Sequence, residues 1–151
     1  MKKITLGLVL TCFFLMASAS ADLDGIIFYK ISRSSGFTPP EYHFEKECVV
    51  TKHKVEIRIN DINGERSLEE SITFDPAWIG LIASASKGTV RPVQVPADAD
   101  PEKNFVFHKQ ADDVIKQILL FGRDESSLGL ENNSVTTYKL MGIISKLCEK
   151  Q

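Results

Sequence analysis

The chain has 151 residues, 43% of them hydrophobic and 25% charged, with a formal net charge of −2. That length suits one domain with its own core. The mild acidity gives no basis for a nucleic-acid partner or an anionic membrane surface.

Met1-Lys2-Lys3 is a short basic start, residues 4–16 are apolar, and Ala19-Ser20-Ala21 is a small-residue cleavage site. This pattern predicts a bacterial secretory signal peptide over residues 1–21, with cleavage before Asp22. The regular cleavage site speaks against an uncleaved anchor helix. The apolar run is too short to span a bilayer, and no second long run follows it. Cys12 lies inside the run and not after a small residue at its end, which argues against a lipid anchor. The expected product is a single exported domain, residues 22–151, in the periplasm or the medium. Without Lys2 and Lys3 it carries 16 basic and 20 acidic residues, a net charge of −4.

Residues 25–33 read as a strand rich in Ile, Phe and Tyr. Apolar side chains on both of its faces suggest an interior position. Residues 32–40 form a turn-rich loop, in which Gly36 can take a positive φ and Pro39-Pro40 stiffens the backbone at its end. Phe37 in this loop is either an exposed aromatic that inserts into a partner or a residue folded back over the core. Residues 41–50 predict a second strand, with Tyr42, Phe44, Lys46, Cys48 and Val50 on the core side. Residues 54–60 alternate Val55, Ile57 and Ile59 against polar neighbours, as in a half-buried antiparallel strand. Asp61-Ile62-Asn63-Gly64 supplies a turn.

Residues 68–74 suggest a short extended segment with Ile72 and Phe74 inward. Asp75-Pro76 starts a helix, Trp78, Leu81, Ile82 and Ala85 follow at helical spacing, and Lys87-Gly88 ends it. Residues 90–101 hold three prolines and read as a loop, with an edge strand at 93–95. Residues 104–109 and 114–123 read as a hairpin, although 112–120 also fits a helix. Residues 125–133 read as a polar loop. The last helix, 134–148, is capped by Ser134, and Tyr138, Met141, Ile144, Leu147 and Cys148 fall near one face.

Cys48 and Cys148 are the two cysteines of the expected product. Both periodicities point them inward, and an exported compartment is oxidising, so they are expected to form one disulfide. The elements together predict an α+β fold, an antiparallel sheet packed on one face by two helices.

Catalytic and metal-binding signals are weak. His43, His53 and His108 lie on separate elements without ligand spacing. Glu41, Glu45 and Glu47 form an acidic strand face, and Asp98, Asp100, Asp112 and Asp113 lack calcium-loop spacing. Ser34 and Ser35 near His43 or His53 have no oxyanion hole or placed acid in the pattern. No metal and no cofactor is expected. Asn132-Asn133-Ser134 matches a glycosylation sequon, but in a bacterial chain it reads as a helix cap.

Ile31-Ser32-Arg33-Ser34-Ser35-Gly36-Phe37 resembles the N-terminal signature of emfourin-like proteins, small α+β inhibitors of thermolysin-type metalloproteases. That signature is a strand running into a Ser-Gly-Gly-Phe-type turn, and those chains also end in an apolar helix. Here Ser35-Gly36 stands in place of a Gly pair, and Pro39-Pro40 comes directly after. The resemblance implies a non-enzymatic protein-binding module with a metalloprotease partner. It makes Ser34, Ser35, Gly36, Phe37 and Thr38 the contact surface. A small envelope hydrolase and a structural envelope protein are the other function classes.

Overall fold

A computed structural model describes residues 25–36 and 38–149. The expected signal segment and Phe37 lie outside the described residues. The strands are β1 (Ile26–Arg33), β2 (Phe44–Thr51), β3 (Lys54–Asp61), β4 (Gly64–Ser71), β5 (Val90–Gln94), β6 (Glu102–Lys109), β7 (Ile115–Arg123) and β8 (Leu128–Asn132). The helices are α1 (Ala77–Ala85) and α2 (Thr137–Cys148). The strands form one sheet in the order β4-β3-β2-β1-β6-β7-β8-β5, and every neighbouring pair is antiparallel.

β1 is interior, between β2 and β6, as apolar side chains on both of its faces suggest. Phe28 stands opposite Val50 and Val106, and Cys48 stands opposite Ile57. These residues join Trp78, Ile82 and Ala85 of α1, and Leu140, Ile144 and Cys148 of α2, in one core cluster. Trp78 packs against Phe28 with ring centroids 5.2 Å apart and meets Phe74 edge-on at 5.5 Å. The Cys48–Cys148 disulfide is present, with Cα atoms 5.8 Å apart across 100 residues of sequence. Both cysteines are buried. Closing so long a loop restricts the unfolded chain and contributes roughly 3–5 kcal/mol in the chain-entropy view.

Several local expectations change. The second strand starts at Phe44, because Pro40–Tyr42 forms a single 3-10 turn that interrupts the alternation. Tyr42 is therefore 68% exposed and does not face the core. β4 is a full eight-residue strand, entered from β3 through a turn in which Gly64 has φ +99. All of its residues are exposed, as an edge strand with polar side chains allows. The region 112–120 is not helical. Asp113, at φ 62, lies in the turn, and Ile115 begins β7.

The polar stretch 125–133 contains β8, whose outward residues are Leu128 and Leu130 and whose buried ones include Glu131 and Asn132. β5 is longer than residues 93–95, and its Pro92 is accommodated because β5 is an edge strand. In α2 the buried stripe is Thr137, Leu140, Ile144 and Cys148. Tyr138 is 69% exposed and donates its hydroxyl to Glu131 at 2.7 Å. That bond draws the Glu131 carboxyl below its ordinary range, with Arg91 adding to the effect. No described helix is long and apolar enough to cross a membrane.

Candidate functional site

The connection from β1 to β2 lies at the end of the sheet where β1 finishes, β6 begins and β7 finishes. Gly, Ser and Pro keep it out of regular structure, and the framework then fixes it. The Ser34 amide donates to the Phe44 carbonyl at 3.0 Å, and the Phe44 amide donates to Ser34 Oγ at 3.2 Å. The Ser35 amide donates to Asp100 Oδ1 at 3.0 Å, which ties the loop to the β5–β6 connection. The Arg33 amide donates to the Pro101 carbonyl at 3.1 Å, and Arg123 Nε donates to the Asp100 carbonyl at 2.6 Å. The partners of this loop thus lie far along the chain.

Within the loop, the Thr38 amide donates to the Ser35 carbonyl at 3.0 Å, closing a turn. The hydroxyls of Ser35 and Thr38 are 3.2 Å apart. His43 Nε2 lies 2.7 Å from the Thr38 carbonyl, and since a carbonyl only accepts, this nitrogen carries the proton. The Tyr42 and His43 amides donate to the Pro39 and Pro40 carbonyls, closing the 3-10 turn.

The five expected contact residues separate into different roles. Ser35 is 4% exposed and acts inside the loop. Ser34 and Thr38 are half-buried, and Gly36 is exposed. A β-carbon on Gly36 would lie 3.1 Å from Glu125 Oε2, so the backbone runs close to the β7–β8 connection. Phe37 lies outside the described residues. Pro39, Pro40, Glu41 and Tyr42 are exposed beside this turn. The strand period over residues 41–50 predicts Tyr42 on the core side. The signal that it faces out is the proline pair shortly ahead of it, which stops the strand.

The loop borders a shallow open concavity of about 470 Å³, which also takes in Asn60, Asp61, Ile62 and Glu125. Ile62, at the tip of the β3–β4 hairpin, is 69% exposed. Asp61 accepts from the Asn63 amide at 2.8 Å and from Arg66 at 2.7 Å. The amide of Asn63, with Arg66 behind it, holds the Asp61 carboxyl below the ordinary carboxylate range.

The polar side chains at this end of the molecule are engaged within the loop. Ser34 Oγ receives the Phe44 amide, Ser35 Oγ meets Thr38, and the His43 ring is held by a carbonyl. Among the described residues, no three His, Cys, Asp or Glu side chains converge as a metal site. Of the acidic residues weighed as cation ligands, Asp100 holds Ser35, Asp112 accepts from the Val114 amide at 3.4 Å, and Asp113 pairs with Lys109 at 3.1 Å. A scan against protein-family models and searches of curated proteins and of solved structures find no match.

Proposed function

We propose that this chain is an exported, non-enzymatic protein-binding module that meets its partner through the β1–β2 loop. The observation that carries the reading is how the described residues of the loop are anchored. Asp100, Phe44, Pro101 and His43 hold its backbone, while Gly36, Pro39, Pro40 and Tyr42 stay exposed. A loop fixed before association loses little conformational freedom on binding. Ile62 is exposed at the lining of the concavity and Tyr42 is exposed in the loop beside it, and a tyrosine is the kind of anchor that dominates interface energies. The resemblance of residues 31–37 to the emfourin signature makes a thermolysin-type metalloprotease the partner class, with Ser34, Ser35, Gly36, Phe37 and Thr38 at the contact.

The signal-like N-terminus and the disulfide support an oxidising compartment, the periplasm or the medium. We also infer that α1 and α2 lie over one face of the sheet. Trp78 of α1 packs on Phe28, and Cys148 of α2 is bonded to Cys48. Phe28 shares its face with Lys30, which stands opposite Cys48. Thr136 Oγ1 also donates to the Leu81 carbonyl, joining the two helices.

The test replaces Tyr42 with a photo-crosslinking phenylalanine and exposes the protein to an envelope extract. A discrete crosslinked protein is expected, and the same probe at exposed Lys139 on α2 should not capture it. Equal capture from both positions, or none from position 42, sinks the binding reading. Titrating thermolysin with the protein tests inhibition separately, and unchanged proteolysis at excess protein removes the inhibitor assignment alone.

A further inference from the structure

The opposite end of the sheet, where β1 begins and β6 ends, holds a second concavity of about 440 Å³. Ile26, Phe74, Ile79, Ile82, Phe107 and Ile115 line it. A volume of this size falls in the range of small-molecule sites, roughly 300–1,000 Å³. Ile82 and Phe107 are buried, but Ile26 and Ile115 are half-buried and Ile79 is 56% exposed. The fold therefore leaves aliphatic surface wet inside a recess, where a ligand can cover it from several sides.

The charged side chains that line this recess among the described residues, Lys52 and Lys109, have one sign. Lys52, His108 and Lys109 line it, and no carboxylate among the described residues does, in a chain of net charge −2. Lys52 and Lys109 are exposed, which puts their ammonium groups at the solvent side. Lys109 also pairs with Asp113 at 3.1 Å, and Asp113 is itself exposed. An exposed pair of this kind is weak and exchanges readily with another anion.

We propose that this cavity binds a free aliphatic carboxylate. Its chain lies among the isoleucines and phenylalanines, and its head group lies at Lys52 and Lys109. This site is independent of the protein-binding loop, which occupies the other end of the sheet.

The chain carries its own reporter. Trp78 is the single tryptophan, and its ring meets that of Phe74, a wall of the cavity, at 5.5 Å. Titration of the purified protein with decanoate, below its micelle concentration, should give a saturable change in tryptophan emission and a matching calorimetric isotherm. Ile79→Glu places a carboxylate in the recess and should weaken binding at least about tenfold, or 1.4 kcal/mol. Its circular dichroism should stay that of the parent, because Ile79 is largely exposed. Lys52→Gln should weaken decanoate binding without affecting decanol. The proposal is overturned by the absence of saturable binding, by unchanged affinity in Ile79→Glu, or by decanol binding as tightly as decanoate. It is equally overturned if a response appears only when the fatty acid is held in phospholipid vesicles.

Discussion

The side-chain amide of Asn132 fills the space beside Gly88 that a β-carbon would need. Gly88 is absent from the positive-φ positions, so it is there for room and not for a left-handed turn. The amide is buried. Its Nδ2 donates to the Ala85 carbonyl at 3.1 Å, and its Oδ1 accepts from the Ser134 amide at 2.9 Å and the Thr137 hydroxyl at 3.4 Å. One side chain thus joins the end of α1, the end of β8 and the start of α2. Gly88→Ala must displace it and strand buried polar groups, at a cost of about 2–3 kcal/mol. Urea unfolding checks this, and a loss under about 0.5 kcal/mol would mean that the amide moves aside freely.

Gly80 in α1 and Gly142 in α2 behave in the opposite way. A β-carbon at either position meets nothing within 4 Å. Ala loses less backbone freedom on folding than Gly, so each Gly→Ala change should add about 0.5–1 kcal/mol. Calorimetric melting of the two variants would show a raised midpoint, and a lowered one would contradict the open surroundings.

The disulfide predicts a large, one-directional effect. Replacing Cys48 and Cys148 together by Ala should cost about 2–5 kcal/mol. Non-reducing peptide mapping of the parent should recover the two residues in one linked species. Finding both thiols free under native oxidising conditions would contradict the bridge.

Tyr29 sets an alkaline limit. Burial first, and then its 2.9 Å bond to Glu47, push its hydroxyl from 10.0 to about 12. A pKa raised by folding contributes stability that is fully present below the unfolded value and is lost as pH rises through the folded one. Stability should therefore fall between pH 10 and about 12, and Tyr29→Phe should flatten that fall in part. The Tyr138 hydroxyl, raised by its bond to Glu131, contributes in the same direction and remains in the variant. Identical alkaline limbs in parent and variant would exclude the Tyr29 contribution.

Phe37 separates two accounts of the loop. As a contact residue, Phe37→Ala weakens partner binding more than it lowers stability. As a core residue it would cost about 3–5 kcal/mol of folding with affinity unchanged. Melting and binding measured on the same variant decide between the two.

How much could be read from the chain depended on how each element is buried. β1 announced itself as an apolar, aromatic run with both faces apolar, and β3 because apolar residues recur at the strand period. β4 gave little signal, since an edge strand exposed along its length places no demand for apolar side chains on either face. β8 gave a misleading one, because its buried residues are Gly129, Glu131 and Asn132 while its leucines are exposed. The strand β7 stayed ambiguous because a short apolar run fits either period. The β1–β2 loop was visible through its glycine and prolines. Its anchoring was not, because Ser35 is held by Asp100, 65 residues away, and local patterning carries no trace of such a partner.

The strand order also sets a timetable for the growing chain. β2, β3 and β4 can each zip onto the strand made just before, the last two of them through tight turns. β5 cannot, because Val90 finds its partner only at Asn132, after the β6–β7 hairpin has been made. The wait lasts until the chain as far as Asn132 is available. During it β5 has no ladder and β7 has an open edge. The arrival of β8 closes both at once, and only then can α2 carry Cys148 back to Cys48.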